Sequence, residues 1–360
     1  MSESRKTITP VRHNRINRRE LRLRMASDAT PRHTLSFYAY ARIADPAAWR
    51  DELYDGLSAL GVLGRIYVAH EGINAQISLP EHRLDDLRQF LAHWPFLQGI
   101  RLNFAVQNRY NSFYVLKIKV RPKIVADGLD DATFDASQTG TPLDAETFNA
   151  LTDRPETLVV DLRNHYECEV GHFENALCFD TDTFRQTLAE AEAALAEAKD
   201  RPIVMYCTGG IRCEKASAWL RHRGFQQVYQ LEGGIIEYAR QVRQRSLRNK
   251  FIGVNFVFDE RLSERIGPQV IARCHQCGTP WDEHTNCRNE ACHVLFLQCP
   301  TCAETYTGCC SEACRDFIAL PAEAQLALRK GFRKPTSVYR KGRPGANAHQ
   351  VRQLLDRLRA

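Results

Sequence analysis

No apolar stretch of the 360-residue chain approaches the roughly 20 residues that cross a bilayer, so no membrane-spanning helix is expected. The first residues are charged and lack an apolar h-region, which leaves no sign of a secretory leader. Repetition at solenoid periods is absent, and with it the repeat architectures. The chain has no glycine-rich nucleotide fingerprint to suggest a flavin, and no two-histidine, one-carboxylate set to suggest iron. What is present is a globular composition, 44% hydrophobic and 26% charged, with room for two or three domains that each bury a core.

Thirteen cysteines would mean disulfides in a small secreted protein. In a chain expected in the cytoplasm they point to metal and redox chemistry instead. Charge is distributed unevenly behind a net +6. Residues 1–24 carry eight Lys/Arg against two Glu, and residues 321–360 carry ten against two acids, which leaves an acidic interior. Basic ends on an acidic body suit a polyanion, nucleic acid first, although solvated tails would look the same. Met25 offers an alternative start that would remove the first of these ends.

The most informative stretch is Ile203-Val-Met-Tyr-Cys207-Thr208-Gly209-Gly210-Ile211-Arg212-Cys213. An apolar run ends at a cysteine, turns through glycines and enters a helix-forming segment. That order aims the Cys207 thiol at a helix N-terminus, where N–H groups and the dipole favour an anion. The backbone of Thr208, Gly209, Gly210 and Ile211 forms the anion site, and Arg212 adds fixed positive charge. Cys213 suits a resolving thiol or second sulfur carrier, or equally a small buried residue. Asp161 and Arg163 suit an ion pair that shapes the site, or catalytic groups. Cys168 and Cys178 lack metal-ligand spacing and read as filler.

Further along, Cys274-His-Gln-Cys277 and Cys299-Pro-Thr-Cys302 are paired knuckles, with Cys287 and Cys292 between them and Cys309, Cys310 and Cys314 after. Tetrahedral structural zinc is delivered by such pairs, and nine cysteines allow one or two ions. The cross-braced arrangement joins Cys274 and Cys277 with Cys299 and Cys302, and Cys287 and Cys292 with Cys314 and Cys310 or Cys309. His275, His284 and His293 are spare candidates. Two redox pairs are the competing reading, but the βαβ context they need is missing.

The chain reads as a multidomain α/β protein. Residues 1–31 form a basic disordered tail, and 32–125 a βαββαβ unit of ferredoxin-like α+β type. Residues 143–250 alternate strand and helix as a parallel sheet, with helices over about 189–198 and 214–223. Residues 251–320 are the Cys-rich, zinc-stabilised module, and 321–360 a basic helical tail.

Three signatures surround Cys207: Asp161-Leu-Arg163 with Glu167 and Gly171-His172, the cysteine loop itself, and the Leu231-Glu-Gly233-Gly234-Ile235 turn. Together they resemble a rhodanese domain, and the resemblance implies that Cys207 carries a sulfur adduct. Phosphatase versions of this loop place five residues between Cys and Arg, whereas four stand here. With Ala69-His-Glu-Gly-Ile-Asn-Ala75, Phe251–Asp259 and the first knuckle, the whole chain resembles the bacterial tRNA uridine(34) hydroxylase family. That resemblance implies O2-dependent formation of 5-hydroxyuridine at the wobble position, with the tRNA anticodon loop as partner. One departure is Pro280-Trp281-Asp282, where the family often has another cysteine. The alternatives are a sulfurtransferase working through a Cys207 persulfide, and a tRNA-binding module without catalysis. Oligomeric state is not legible.

Overall fold

The computed structural model describes residues 16–107, 112–130, 134–330, 332, 342–344 and 347–356. Two compact units form: Met1–Ala126 with Asp259–Arg261, and Asp127–Phe258 with Leu262–Ala360. Among the described residues no helix is long and apolar enough to cross a membrane.

The first unit begins with α1 (Arg18–Ser27), capped by the Asn17 side chain, which accepts from the Glu20 N–H. A helix therefore stands inside the segment read as a disordered tail; residues 1–15 of that segment lie outside the described residues. Then come β1 (Arg32–Tyr40), α2 (Pro46–Ala59), β2 (Leu63–Ala69), β3 (Gly72–Pro80), α3 (Leu84–Leu91), β4 (Asn103–Phe104) and β5 (Leu116–Val120). Asp45 starts α2 by accepting from Ala47 and Ala48, with Pro46 preset for the first helical position. The strand order is β4-β1-β3-β2-β5, antiparallel except for β2 with β5. The first four strands give the ferredoxin-like order, to which β5 adds an edge. Alternation along the strands buries Leu35, Phe37, Ile66, Val68, Ile73 and Ile77, which share one core with Leu53, Leu57, Leu87 and Leu91 of the helices.

The second unit is built on a parallel sheet of order β6-β11-β10-β7-β9. Its strands are β6 (Thr141–Leu143), β7 (Leu158–Asp161), β9 (Ala176–Leu177), β10 (Ile203–Tyr206) and β11 (Val228–Leu231). All four residues of β10 are fully buried, as expected for a strand covered on both faces. The helices are α4 (Ala145–Thr152), α5 (His165–Cys168), α6 (Phe184–Ala194), α7 (Ile211–His222) and α8 (Gly234–Arg245). Helix α6 starts five residues before the expected 189, because Thr183 caps it by accepting from the Gln186 N–H. Beside this sheet, β8 (Gly171–Phe173) pairs with β12 (Phe251–Phe256), which pairs in turn with β13 (Ser263–Arg265). Residues 251–256 therefore join a small sheet with 171–173 and do not simply open the Cys-rich module.

The module itself holds the hairpin β14 (His284–Asn286) and β15 (Leu295–Leu297), then α9 (Pro300–Thr305), α10 (Glu312–Ala319), α11 (Ala322–Arg329) and α12 (Ala348–Asp356). Leu328, Val351 and Leu354 are buried in one core with Val294, Phe296, Phe317 and five cysteines. The segment read as a basic tail thus closes this core with one face of each helix. Cys168 and Cys178, which read as filler in the sequence, are joined in a disulfide that ties α5 to the end of β9.

Candidate functional site

Cys207 follows the last residue of β10, at the carboxyl edge of the sheet where open α/β folds place their sites. Gly210, at φ 99°, turns the chain into α7, and its N–H donates to the Cys207 Sγ at 3.1 Å. The turn is held from outside by α8. Ile235 N–H donates to the Cys207 carbonyl at 3.0 Å, and Ile236 N–H to the Thr208 carbonyl at 3.2 Å. A Cβ at Gly234 would meet the Cys207 carbonyl oxygen at 2.5 Å, so only glycine admits this close approach. Gly209 completes the loop, and Ile211 is the first residue of the helix.

Burial pushes the Cys207 thiol up. Hydrogen bonding from the Cys213 side chain, the Arg212 charge and the N–H groups of Arg212 and Cys213 outweigh it, and the thiol is brought down to about 6. Cys213 is fully buried one turn into α7, and its own thiol is pushed up by burial and by the bond to Cys207. One sulfur is arranged as an anion and its neighbour as a donor.

Arg212 is held by Glu167, at 2.8 Å from Nη2 to Oε1 and 3.0 Å from Nη1 to Oε2. Its guanidinium also lies 5.7 Å from the centre of the Phe258 ring. Glu167 is fully buried and completes a capping box on α5, accepting the Asn164 N–H at 3.1 Å. The Thr208 hydroxyl stands 3.5 Å from the same carboxylate. In the sequence Glu167 stands only as part of the signature upstream of Cys207. The Asn164-x-x-Glu167 capping pattern was the signal, but it marks a helix start and carries no information about a partner 45 residues away.

Asp161 and Arg163 sit apart from the sulfur. Arg163 donates to both Asp161 oxygens and to the Gly171 carbonyl, and Tyr206 O–H donates to Asp161 at 2.7 Å. All three side chains are buried, and none of these bonds reaches Cys207 or Arg212. They brace the strand end that carries Cys207. Lys215 and Asp127 form another buried pair, which ties α7 to the segment before β6.

Cysteines gather in two further clusters, and either could hold a metal ion. Cys274, Cys277, Cys299 and Cys302 have their sulfurs within 4.8 Å of one another, as do Cys287, Cys292, Cys310 and Cys314. Cys277 to Cys299 and Cys292 to Cys310 are 3.6 Å apart, and Cys310 to Cys314 is 3.9 Å. A tetrahedron with metal–sulfur bonds near 2.3 Å has edges of about 3.8 Å, so the donor sets fit a tetrahedral soft-ligand ion. Backbone N–H groups of Cys299 and Cys310 point at the Cys274 and Cys287 sulfurs, each at 3.4 Å. Cys309 stands outside both sets, its thiol bonded to Cys287. The histidines stay out as well, and His275 pairs with Glu169 at 2.8 Å.

Three family models match the chain. They are an acylphosphatase-like domain of the UPF0176 type over residues 32–124, a rhodanese-like domain over 144–241, and a rhodanese C-terminal region over 252–315. Among relatives, a protein of Cronobacter sakazakii named tRNA uridine(34) hydroxylase is 56% identical over 94% of this chain and 97% of its own. Proteins of the same name from Sodalis glossinidius and Escherichia fergusonii are 56% and 55% identical, over 93% and 95% of this chain and 95% and 98% of theirs.

Proposed function

The chain belongs to the tRNA uridine(34) hydroxylase family, and we propose that it converts the wobble uridine of tRNA to 5-hydroxyuridine with O2 as oxygen source and Cys207 as nucleophile. The observation that carries this reading is the buried Cys207 sulfur, brought to about 6 at the mouth of a helix. A thiolate there adds to C6 of the uracil ring, and the displaced π electrons make an enolate with nucleophilic character at C5. C5 takes one oxygen atom. Loss of the C5 proton then expels the thiolate and restores the ring double bond. The second atom of O2 leaves as water, with two electrons and two protons from an external dithiol that becomes a disulfide. Arg212 and the loop N–H groups hold the sulfur as an anion before attack and after release. A wobble base lies in a single-stranded loop, where it can be splayed into such a site.

Zinc is the ion we assign to the two cysteine clusters. It would be held by Cys274, Cys277, Cys299 and Cys302 in one and by Cys287, Cys292, Cys310 and Cys314 in the other, and it would add folding energy to that of the core around Phe296 and Phe317.

The test is nucleoside mass spectrometry of tRNA from a deletion strain carrying wild-type or Cys207→Ala protein, grown with and without air. Wobble 5-hydroxyuridine should return only with the wild type and only in air. A second reading, sulfur transfer, draws on the same Gly210 N–H, which would equally hold the terminal sulfur of a persulfide. Sulfite release from thiosulfate, together with an unchanged 5-hydroxyuridine level, would put that reading first.

A further inference from the structure

Beyond the sulfur loop, the Cys-rich module carries a cleft of about 470 Å³ whose polar lining includes Arg288, Arg315, Arg329, Glu290, Thr307 and Gln325. Three guanidinium groups face it against one carboxylate. Glu290 is taken by Arg329 at 2.6 Å. Arg315 reaches Asp316 only at 3.5 Å, with the side chains 40% and 58% exposed, and such a surface pair binds weakly. Arg288 is exposed and makes no ion pair among the described residues. The lining holds no aromatic ring, so a base entering it would meet only guanidinium planes to stack on.

The arginines are placed by the thiolate cluster. Arg288 follows Cys287 and Arg315 follows Cys314, so the backbone that gathers the four sulfurs also sets two of the three forks. Arg288 N–H donates to the Gly308 carbonyl at 3.0 Å, which fixes its strand end against the turn that carries Thr307. Arg329 ends α11, whose Leu328 is buried in the core around the same cluster. Guanidinium forks with a hydroxyl beside them match phosphate oxygens, which accept in pairs, while the Gln325 amide N–H groups are taken by the Ile318 and Leu320 carbonyls at 3.2 and 2.8 Å.

We propose that this cleft binds the phosphodiester backbone of the substrate tRNA, independently of sequence, while the sulfur loop reads the wobble base. The proposal rests on the hydroxylase reading for its partner. A phosphate contact positions an RNA without discriminating among RNAs. The cleft therefore sets affinity and salt dependence, and leaves the choice of base to the other site.

The experiment uses the full metal-loaded chain and labelled unmodified tRNA transcripts, with binding followed by fluorescence anisotropy across a salt series. Arg288→Gln and Arg315→Gln should each lower the magnitude of the log–log salt slope by about 1, and the pair should weaken binding on the order of 10-fold. The loss should be equal for tRNAs with and without uridine 34, with the metal content of the wild type retained. Arg288→Lys should recover the slope. Should a glutamine variant fold poorly, Arg288→Glu, on an exposed side chain, should weaken binding further. Wild-type affinity and slope in both glutamine variants would overturn the proposal. So would saturable binding of inorganic phosphate that Arg288→Gln removes while tRNA affinity stays intact, which would give the cleft to a small phosphate. If the wild type itself shows no salt-dependent tRNA binding, the hydroxylase reading fails along with it.

Discussion

Glu167 grips Arg212 with both carboxylate oxygens, at 2.8 and 3.0 Å, and the two side chains are 0% and 10% exposed. A buried pair of this kind is weak evidence for stability, but breaking one side leaves a charge uncompensated. Glu167→Ala should therefore destabilise the second unit by about 3–5 kcal/mol, with Glu167→Gln milder because it keeps an acceptor. Urea unfolding measures the loss. A change below about 1 kcal/mol for the alanine variant would mean that Arg212 finds another partner.

The sulfur pair predicts a pH profile. Alkylation of Cys207 should rise with a midpoint near 6, where its thiol titrates, against about 8.5 for a free cysteine. Cys213→Ala removes the side-chain donor and should raise that midpoint by roughly one unit, while Cys213→Ser keeps a donor and a low midpoint. The folded value lies below the unfolded one. The thiolate therefore stabilises the fold fully above about 8.5, and the contribution is lost as pH falls through about 6. An alkylation midpoint near 8.5 in the wild type would mean that Cys207 is not held as an anion at neutral pH.

Metal analysis should find two ions per chain if both clusters are filled. Cys287→Ser should lose one of them, and with it the thermal stability of the Cys-rich module. Cys309→Ser should keep both, because Cys309 stands outside either set of four. A chelator that strips the metals should unfold the module while leaving the fast alkylation of Cys207 in place.

Lys215 and Asp127 are 3% and 1% exposed at the side chain and pair directly. Asp127→Asn should cost about 3–5 kcal/mol, since it leaves a buried ammonium without its counter-charge. Replacing both, as Asp127→Leu with Lys215→Met, should recover most of the loss. A double-mutant cycle with no coupling would show that water reaches the pair.

How legible the site was depends on sequence distance. The strand, the cysteine, the glycines and the helix are consecutive, so the environment of Cys207 could be read from a dozen residues. The grouping of Cys274 and Cys277 with Cys299 and Cys302 was legible too, because knuckle spacing reflects ligand geometry. Glu167 was not, because its partner lies 45 residues on and the topology alone brings them together. Cys168 and Cys178 are ten apart, and only the return from α5 through β8 to β9 lets their sulfurs meet. The C-terminal segment misled through its charge. Ten Lys/Arg hid the apolar stripe of Leu328, Val351 and Leu354 that closes a core. Compositional bias set the start of α6 too late, because Ala/Glu runs lack boundaries and the cap at Thr183 is a single residue.

The two N–H bonds from Ile235 and Ile236 to the carbonyls of Cys207 and Thr208 bear on protein engineering. The environment of the Cys207 sulfur is not the property of a portable heptapeptide. A loop grafted onto another strand–helix junction would carry its glycines and its arginine, yet its carbonyls would turn freely and the N–H fan would splay. The smallest transplantable unit runs from β7, which carries Asp161, through Glu167 on α5 and the loop at Cys207 to the turn at Gly233 and Gly234, with α8 included as its frame.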